Sequence, residues 1–316
     1  MTDCKLSRLC VILPTHNRPA LLAEALASLR VQTCADWTAW VVDDASDPAV
    51  SAAWDDARIH TLRHDHAEGG AAAKNSGIRA AQGEILAFLD DDDCYAPTYL
   101  ARARDVLDRH PDLDVVFMGV SWFGSNSAWG QANYDQAMAG FLAQAHGDVQ
   151  ADGLIRFGDA LLPALLKSVP MAFQRPVVRK AALDRIGLYR PDCLLWDCDW
   201  AIQAALHARV ALIPEGLYRQ RAEGQGYSSQ RDRTIEHLQS GIDIKTRLLK
   251  HPQTGQFPLR RALFRRAAAD AWFDLAWHQY QQGRSRLAWR PLLRSARLQL
   301  GLRHAKLLAR LLLGKA

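Results

Sequence analysis

A run of four consecutive aspartates, residues 90–93, directly follows the apolar segment 85–89. Adjacent carboxylates repel one another, so four of them are costly to hold together without a cation. Mg²⁺ and Mn²⁺ prefer oxygen ligands, and one or two carboxylates together with substrate phosphates can complete their coordination. Capping of a helix that starts near Pro97 would explain one aspartate but not four. The run therefore predicts a divalent-metal site that takes a phosphate-bearing substrate.

Polar clusters also follow two earlier apolar segments. Residues 15–17 (Thr, His, Asn) come after the segment 9–13, and the pair Asp43-Asp44 comes after the segment 37–42. In a parallel sheet the ligand binds beyond the carboxyl ends of the strands. If the three apolar segments are neighbouring strands, their polar clusters converge on one cleft.

The first 120 residues alternate between short β-rich segments and segments with helical periodicity. The pattern predicts strands at 9–13, 37–42, 59–62, 85–89 and 115–118, and helices at 19–32, at 70–81 and after Pro97. Such alternation is typical of an α/β fold with a mostly parallel central sheet and helices on both faces.

The rest of the chain divides into three kinds of sequence. Residues 121–160 have little periodicity and predict a long loop or lid with a short helix. The pattern then predicts a strand at 173–178, helices at 180–186 and 196–207, and a last strand at 210–213. After Pro258, Arg, Ala, Leu and Trp at helical spacing predict two to four helices, with a turn near Gly283. We expect an α/β domain at 1–235 and a basic α-helical region at 236–316.

The composition argues against several classes of protein. The six cysteines are scattered without a CxxC pair, so neither a disulfide framework nor a zinc site is predicted. No stretch of 18 apolar residues occurs, and the first apolar run is too short for a signal sequence, which predicts a cytoplasmic protein. Gly69-Gly70 does not extend to a GxGxxG motif, so a nicotinamide site is not predicted.

The net charge of +5 is unevenly distributed. From Arg260 onward thirteen Lys and Arg stand against two Asp, and Arg303, Lys306 and Arg310 share one stripe of the last helical segment. This helix either binds an anionic membrane surface, at the inner face of the membrane, or a partner, or it packs its leucines on the α/β domain. No nucleic-acid-binding motif accompanies the charge, so nucleic acid is not expected as a partner.

The order of the motifs resembles that of the family 2 glycosyltransferases. The matching elements are Pro14-Thr15-His16-Asn17-Arg18, Asp43-Asp44-Ala45-Ser46, Lys74-Asn75-Ser76-Gly77, and Leu89-Asp90-Asp91-Asp92-Asp93 followed by Pro97. The resemblance covers about residues 8–230. No element is decisive alone, but their order and spacing together are specific.

The resemblance implies a GT-A fold and a metal-dependent, inverting transfer of a sugar from a nucleoside-diphosphate donor, with a UDP-sugar favoured. The acceptor would be a hydroxyl of a glycan or of a lipid-linked sugar, as in the synthesis of cell-surface polysaccharide. Residues of about 8–120 would bind the donor, and residues of about 121–235 would bind the acceptor and complete the catalytic site.

The resemblance also implies a role for each matched residue. The donor would contact Pro14, Thr15, Asn17, Arg18, Asp43, Asp44, Lys74, Asp90 and Arg221. Asp92 and Asp93 would hold Mn²⁺ or Mg²⁺. Asp197 matches the general base, with Asp199 as the runner-up, because two residues this close on a helix point in different directions.

Two positions depart from the family pattern. Trp196 stands where the family has a glutamate before the base, and Arg221 stands where many relatives have a histidine that can reach the metal. These departures keep a second class open, a catalytically inactive GT-A-fold protein that binds a donor or acts as a scaffold. Outside the motifs, His60, His64 and His66 are predicted to lie at the surface.

Overall fold

The computed structural model describes residues 8–51, 53–223, 232–251 and 257–313. The chain divides into two compact units. The first contains Met1–Asp192 and Trp196–Gln230, and the second contains Cys193–Leu195 and Arg231–Ala316.

The described residues form ten strands and eleven α-helices. The strands are β1 Leu9–Thr15, β2 Trp37–Asp43, β3 Ile59–Arg63, β4 Ile85–Phe88, β5 Cys94–Tyr95, β6 Val115–Phe123, β7 Asp148–Val149, β8 Ile155–Arg156, β9 Pro176–Arg179 and β10 Val210–Arg221. The helices are α1 Pro19–Arg30, α2 Gly70–Ala80, α3 Tyr99–Arg109, α4 Ser127–Ala145, α5 Leu161–Lys167, α6 Leu183–Ile186, α7 Trp196–His207, α8 Thr234–Lys250, α9 Pro258–Gln281, α10 Ser285–Leu298 and α11 Leu302–Leu312.

One half of the sheet is parallel, in the order β3-β2-β1-β4. These strands are almost continuously apolar and buried, as expected for strands covered on both faces. Helix α2 packs on β1 and β2, and Gly77 lets it approach closely, because a Cβ at this position would clash with the side chain of Ile12. The polar clusters after β1, β2 and β4 therefore end at the same edge of the sheet, as predicted.

The other half of the sheet makes the whole sheet mixed rather than mostly parallel. β9 lies between β4 and β6 and is antiparallel to both, while β10 is parallel to β6. The short strands β5, β7 and β8 add antiparallel pairs. The apolar pattern of β9 indicated a strand, but periodicity carries no information on strand direction.

The prediction of a long loop or lid at 121–160 was wrong. This segment contains α4, a helix of 19 residues. Ala, Gln, Met and Leu favour helix formation, but its apolar side chains do not fall on one face, so the periodicity was hidden. Gly130 of α4 packs against Trp122, where an added Cβ would lie 2.7 Å from the ring.

The second unit is helical and contains α8 to α11. α9 packs against α8 and α10, and Gly283 forms the predicted turn between α9 and α10 with a φ of +69°. Leu307 and Leu311 of α11 are buried with Ala276 of α9 and Leu292 of α10. The buried leucines of the last helix therefore pack within the helical unit itself.

Part of the basic stripe on α11 is engaged within the same unit. Arg303 forms an ion pair with Asp270 and stacks on the ring of Phe273, and Arg310 lies 5.2 Å from the ring centre of Trp277. None of the described helices is both long and apolar enough to span a bilayer.

Candidate active site

Asp90 begins the acidic run and pairs with two buried cations. Its carboxylate lies 2.7 Å from Lys74 Nζ and 3.3 Å from an Arg175 guanidinium nitrogen. Burial alone would raise the pKa of Asp90, but the charges of Lys74 and Arg175 outweigh it and lower the pKa to about 2. The carboxylate of Asp90 is therefore ionised at neutral pH and forms ion pairs with Lys74 and Arg175 at the end of β4.

Asp93 points into the protein and joins the acidic run to β10. One carboxylate oxygen accepts a hydrogen bond from Tyr218 Oη at 2.9 Å, and the other accepts from the backbone N–H of Arg221 at 2.9 Å. The residue is only 3% exposed. Burial, reinforced by the charges of Asp92 and Asp90, raises its pKa to about 7 despite the nearby Arg175.

Asp91 and Asp92 face the loop that follows β1. Asp91 accepts from Thr15 Oγ1 at 2.7 Å and from Arg18 at 3.1 Å, and burial raises its pKa to about 6. Asp92 accepts from the same Arg18 at 3.2 Å, and its side chain is 16% exposed. Burial and then the charge of Asp90 raise the pKa of Asp92 as well.

The two predicted metal ligands, Asp92 and Asp93, differ in how well their surroundings suit a metal ion. Within the described ranges, no three or more His, Cys, Asp or Glu side chains are grouped so as to hold a metal ion. Asp92 fits a hard cation that takes one protein carboxylate and draws its other ligands from a diphosphate. Asp93 does not fit, because both of its oxygens accept hydrogen bonds inside the protein.

Asp43 and Asp44 shape the loops at the end of β2. Asp43 accepts from the backbone N–H groups of Ser46 and Val50 and forms an ion pair with Arg63. Burial would raise its pKa, but these hydrogen bonds lower it. In this arrangement its carboxylate organises the loop, and its contact with a donor stays a prediction.

Asp44 joins the end of β2 to the start of α2. It accepts from the backbone N–H groups of Glu68 and Gly69, both at 2.8 Å, and from His64 at 2.8 Å. These bonds outweigh burial and lower the pKa of Asp44. The prediction that His64 lies at the surface was wrong, because its ring is buried between Asp44 and Ser76.

The loop after β1 is tied to the loop after β2. The backbone N–H of Asn17 donates to Ser46 Oγ, and Asn17 Oδ1 accepts from the backbone N–H of Asp47. Asn17 has a φ of 55°, a left-handed conformation that asparagine tolerates better than most residues. Pro14 lies within β1 opposite Val42. The predicted donor residues of this loop therefore form one connected rim with the ends of β1 and β2.

Asp197 and Asp199 lie in the first turn of α7, where the helix dipole favours negative charge. Asp199 is buried, whereas Asp197 is partly exposed and accepts from the backbone N–H of Cys198 at 2.7 Å. Burial lowers the pKa of Arg175, but Tyr218, Asp90, Asp93 and Asp197 together raise it well above its ordinary value. Asp197 therefore acts electrostatically on the same cation that pairs with Asp90.

Arg175 is a central residue that the sequence analysis missed. It is buried, lies 3.5 Å from Asp93 as well as near Asp90, and stacks 4.5 Å from the ring centre of Tyr218. An arginine at the edge of the apolar segment that forms β9 was the one available signal. Only the antiparallel placement of β9 beside β4 brings it to the acidic run.

Trp196 also has a definite place in the site. Its ring lies 4.6 Å from Lys74 Nζ, a cation–π distance, and contacts the ring of Tyr189 edge-on. Arg221 donates from Nε to the carbonyl of Asp92 and pairs with Glu24. The two positions that depart from the family pattern therefore both contact the ion-pair network around the acidic run.

Residues 10–156 match the model of Glycosyl transferase family 2. This match agrees with the resemblance that the motifs gave: residues 10–156 of the chain are similar to family 2 glycosyltransferases.

Among curated relatives, the chain is 33% identical over 88 residues to the UDP-Glc:alpha-D-GlcNAc-diphosphoundecaprenol beta-1,3-glucosyltransferase WfgD of Escherichia coli. This match covers 27% of the present chain and 35% of WfgD. The matches to the first relatives span less than half of their length.

Solved structures confirm the GT-A fold. S. aureus TarS 1-349 in complex with UDP-GlcNAc has a TM-score of 0.62 at 17% identity, covering 97% of this chain and 88% of that one. The mannosyltransferase PcManGT from Pyrobaculum calidifontis, in complex with GDP-Man and Mn²⁺, has a TM-score of 0.53 at 20% identity, covering 96% and 78%. At these identities the likeness concerns the fold alone.

Proposed function

We propose that the protein transfers a sugar, with inversion, from a nucleoside-diphosphate donor to a hydroxyl of a glycan or lipid-linked acceptor. One observation carries the proposal. The candidate base Asp197 and the candidate donor residue Asp90 both act on the buried Arg175. Direct displacement requires the base and the donor site to share one cleft, because the acceptor oxygen must attack the anomeric carbon on the face opposite the leaving diphosphate.

The donor diphosphate would lie against the cations at the end of β4. Lys74 and Arg18 already hold carboxylates of the acidic run and can be shared with phosphate oxygens. Asp92 would hold Mn²⁺ or Mg²⁺, and the bound ion would stabilise the charge that develops on the leaving nucleoside diphosphate. A UDP-sugar is the favoured donor, because TarS is described with UDP-GlcNAc and WfgD is named for UDP-Glc.

Asp197 would take the proton from the acceptor hydroxyl. It is the more exposed of the two aspartates in the first turn of α7, and positioned proton transfer contributes about 10²–10⁴-fold to a rate. A single base on the face opposite the leaving group is sufficient for inversion. Asp199, which is buried, would stabilise the start of the helix instead.

The proposed class of acceptor is based on the name of a relative and not on contacts in this site. WfgD is named for a diphosphoundecaprenol acceptor, which supports a lipid-linked sugar in the synthesis of cell-surface polysaccharide. Such an acceptor would bring the protein to the inner face of the membrane. The exposed Leu312 at the end of α11, with Leu313 directly after it, lies near Arg310 in the sequence and could touch that surface.

The proposal is tested by measuring release of nucleoside diphosphate from a panel of UDP-, GDP- and dTDP-sugars with Mn²⁺. Asp92→Ala and Asp197→Asn should each lower turnover at least a hundredfold, whereas Asp112→Asn, at an exposed ion pair with Arg156, should not. Full turnover in both site variants would contradict the mechanism. Donor binding without turnover by the wild-type protein would instead support the inactive, donor-binding alternative that Trp196 keeps open.

A further inference from the structure

The second unit carries a groove of about 790 Å³ between α8, α9 and α10. Trp272, Leu275 and Gln279 of α9 line it together with Ile242 and Thr246 of α8. A concave site of this size, in which apolar side chains stand beside polar and charged ones, can hold a small molecule.

Two residues that line this groove each bury a polar atom without a partner. Gln279 is 8% exposed, and its Oε1 has no hydrogen-bond partner in the part of the chain that the structure describes. The same holds for Thr246 Oγ1. Buried polar atoms are nearly always paired in native proteins, so an unpaired carbonyl oxygen and an unpaired hydroxyl in one groove indicate a ligand with hydroxyl or amide groups.

The α10 side of the groove is positively charged. Arg286, Arg290 and Arg294 are spaced at i, i+4 and i+8, so they share one face of the helix, and all three line the groove. Asp243 of α8 also lines the groove. A guanidinium group can donate two parallel hydrogen bonds to two oxygens of one phosphate. The three arginines therefore favour a ligand that carries more than one negative charge.

We propose that the groove binds the diphosphate end of a lipid-linked glycan, an inference that rests on the proposed function and names the acceptor site of the second unit. The arginines pair with the diphosphate, and the first sugar supplies hydroxyl groups to Gln279 and Thr246. The apolar chain lies along Ile242, Leu275 and the exposed Leu287. A free anion would leave the apolar wall and the buried amide oxygen without partners.

Such a site would hold the acceptor on the same chain that holds the donor. Tethering raises the effective concentration of the second substrate without any new contact at the reacting atoms. The charge division of the chain, with a basic second unit and an acidic first one, agrees with this separation of an anionic acceptor from a metal-binding donor site.

Calorimetry on the full chain tests the proposal with three probes: α-GlcNAc-diphosphoundecane, undecyl diphosphate and inorganic pyrophosphate. EDTA is present throughout, so that no probe binds through a metal at Asp92. We expect the glycosylated probe to bind most tightly and pyrophosphate least. Arg286→Gln/Arg290→Gln should weaken the glycosylated probe at least about tenfold. The matched control Arg261→Gln/Lys306→Gln removes two exposed charges of the same unit outside the groove and should bind normally.

A second variant tests the sugar contact. Gln279→Leu should weaken the glycosylated probe and leave undecyl diphosphate unchanged. The proposal is overturned if neither lipid probe binds, if pyrophosphate binds as tightly as they do, or if the two double variants bind alike.

Donor hydrolysis without acceptor separates this proposal from the proposed function. It requires the first unit, so the groove variants should release UDP at the wild-type rate. Loss of probe binding with intact hydrolysis is the expected pattern. No hydrolysis by the wild-type protein, with probe binding as predicted, would count against the proposed function and not against the groove.

Discussion

At the scale of single residues, the four aspartates of the run have four different surroundings. Asp90 holds Lys74 and Arg175, Asp93 holds Tyr218 and the backbone of β10, and Asp92 is partly exposed beside Arg18. The sequence could predict that these carboxylates gather a cation. It could not predict which carboxylate faces solvent, because that depends on strands β9 and β10, more than 80 residues further along the chain.

The pKa of Asp93 predicts a pH dependence of stability. An aspartate in an unfolded chain has a pKa of about 3.9, whereas burial raises that of Asp93 to about 7. Between these values the folded state binds more protons than the unfolded state. The contribution of Asp93 to the free energy of unfolding is therefore complete below about pH 4 and is lost as the pH rises through 7.

Urea unfolding with EDTA at pH 5 and pH 8 measures this contribution. From the shift in pKa, the free energy of unfolding of the wild-type protein should fall by about 2–3 kcal/mol more than that of Asp93→Asn between these values. Asp112→Asn is the control, since ion pairing with Arg156 lowers the pKa of Asp112 to about 2, outside this range. An identical pH dependence of wild type and Asp93→Asn would contradict the assignment.

Arg175 predicts a large loss of stability on substitution. Arg175→Gln leaves Asp93 without its buried cation and Asp90 with Lys74 alone, and removal of one partner from a buried ion pair costs about 3–5 kcal/mol. Arg209→Gln removes an exposed arginine and should change the free energy of unfolding by less than about 0.5 kcal/mol. Denaturant titration compares the two variants. A cost at Arg175 as small as at Arg209 would show that the network does not depend on it.

At the scale of elements, the buried parallel strands were predictable and the antiparallel ones were not. β1, β2 and β4 are short apolar runs that end in polar clusters, so both their existence and their common edge follow from the sequence. β9 is equally apolar, but its direction and its place between β4 and β6 are set by tertiary packing. The helix α4 could not be predicted because its apolar residues do not repeat on one face of the helix.

Packing of α2 on the sheet gives a prediction at this scale. Gly77→Ala places a methyl group against Ile12 and Val42, and overpacking of this kind costs about 1–3 kcal/mol. Gly241→Ala in α8 is the matched helical control, where the added methyl group meets open space, and helix propensity should stabilise it by about 0.5–1 kcal/mol. Thermal unfolding of both variants checks the signs. A neutral Gly77→Ala would mean that α2 packs less closely than described.

At the scale of the whole molecule, the chain combines a unit of GT-A fold, whose residues 10–156 match the family 2 model, with a basic helical unit. The motif order was sufficient to predict the fold class and the match to the family 2 model. The motifs could predict neither the acceptor nor the groove of the second unit. The groove is lined by residues from three helices, and it exists only once these helices pack together.

The most direct test of the account is metal-dependent release of UDP from a UDP-sugar by the purified chain. We expect turnover with Mn²⁺, loss of turnover on addition of EDTA, and recovery when Mn²⁺ is restored in excess. Asp92→Ala should show no recovery, because the ion has lost its protein carboxylate. Turnover that persists unchanged in EDTA, or that Asp92→Ala retains in full, would contradict the central claim that Asp92 holds a catalytic metal in a sugar-transfer site.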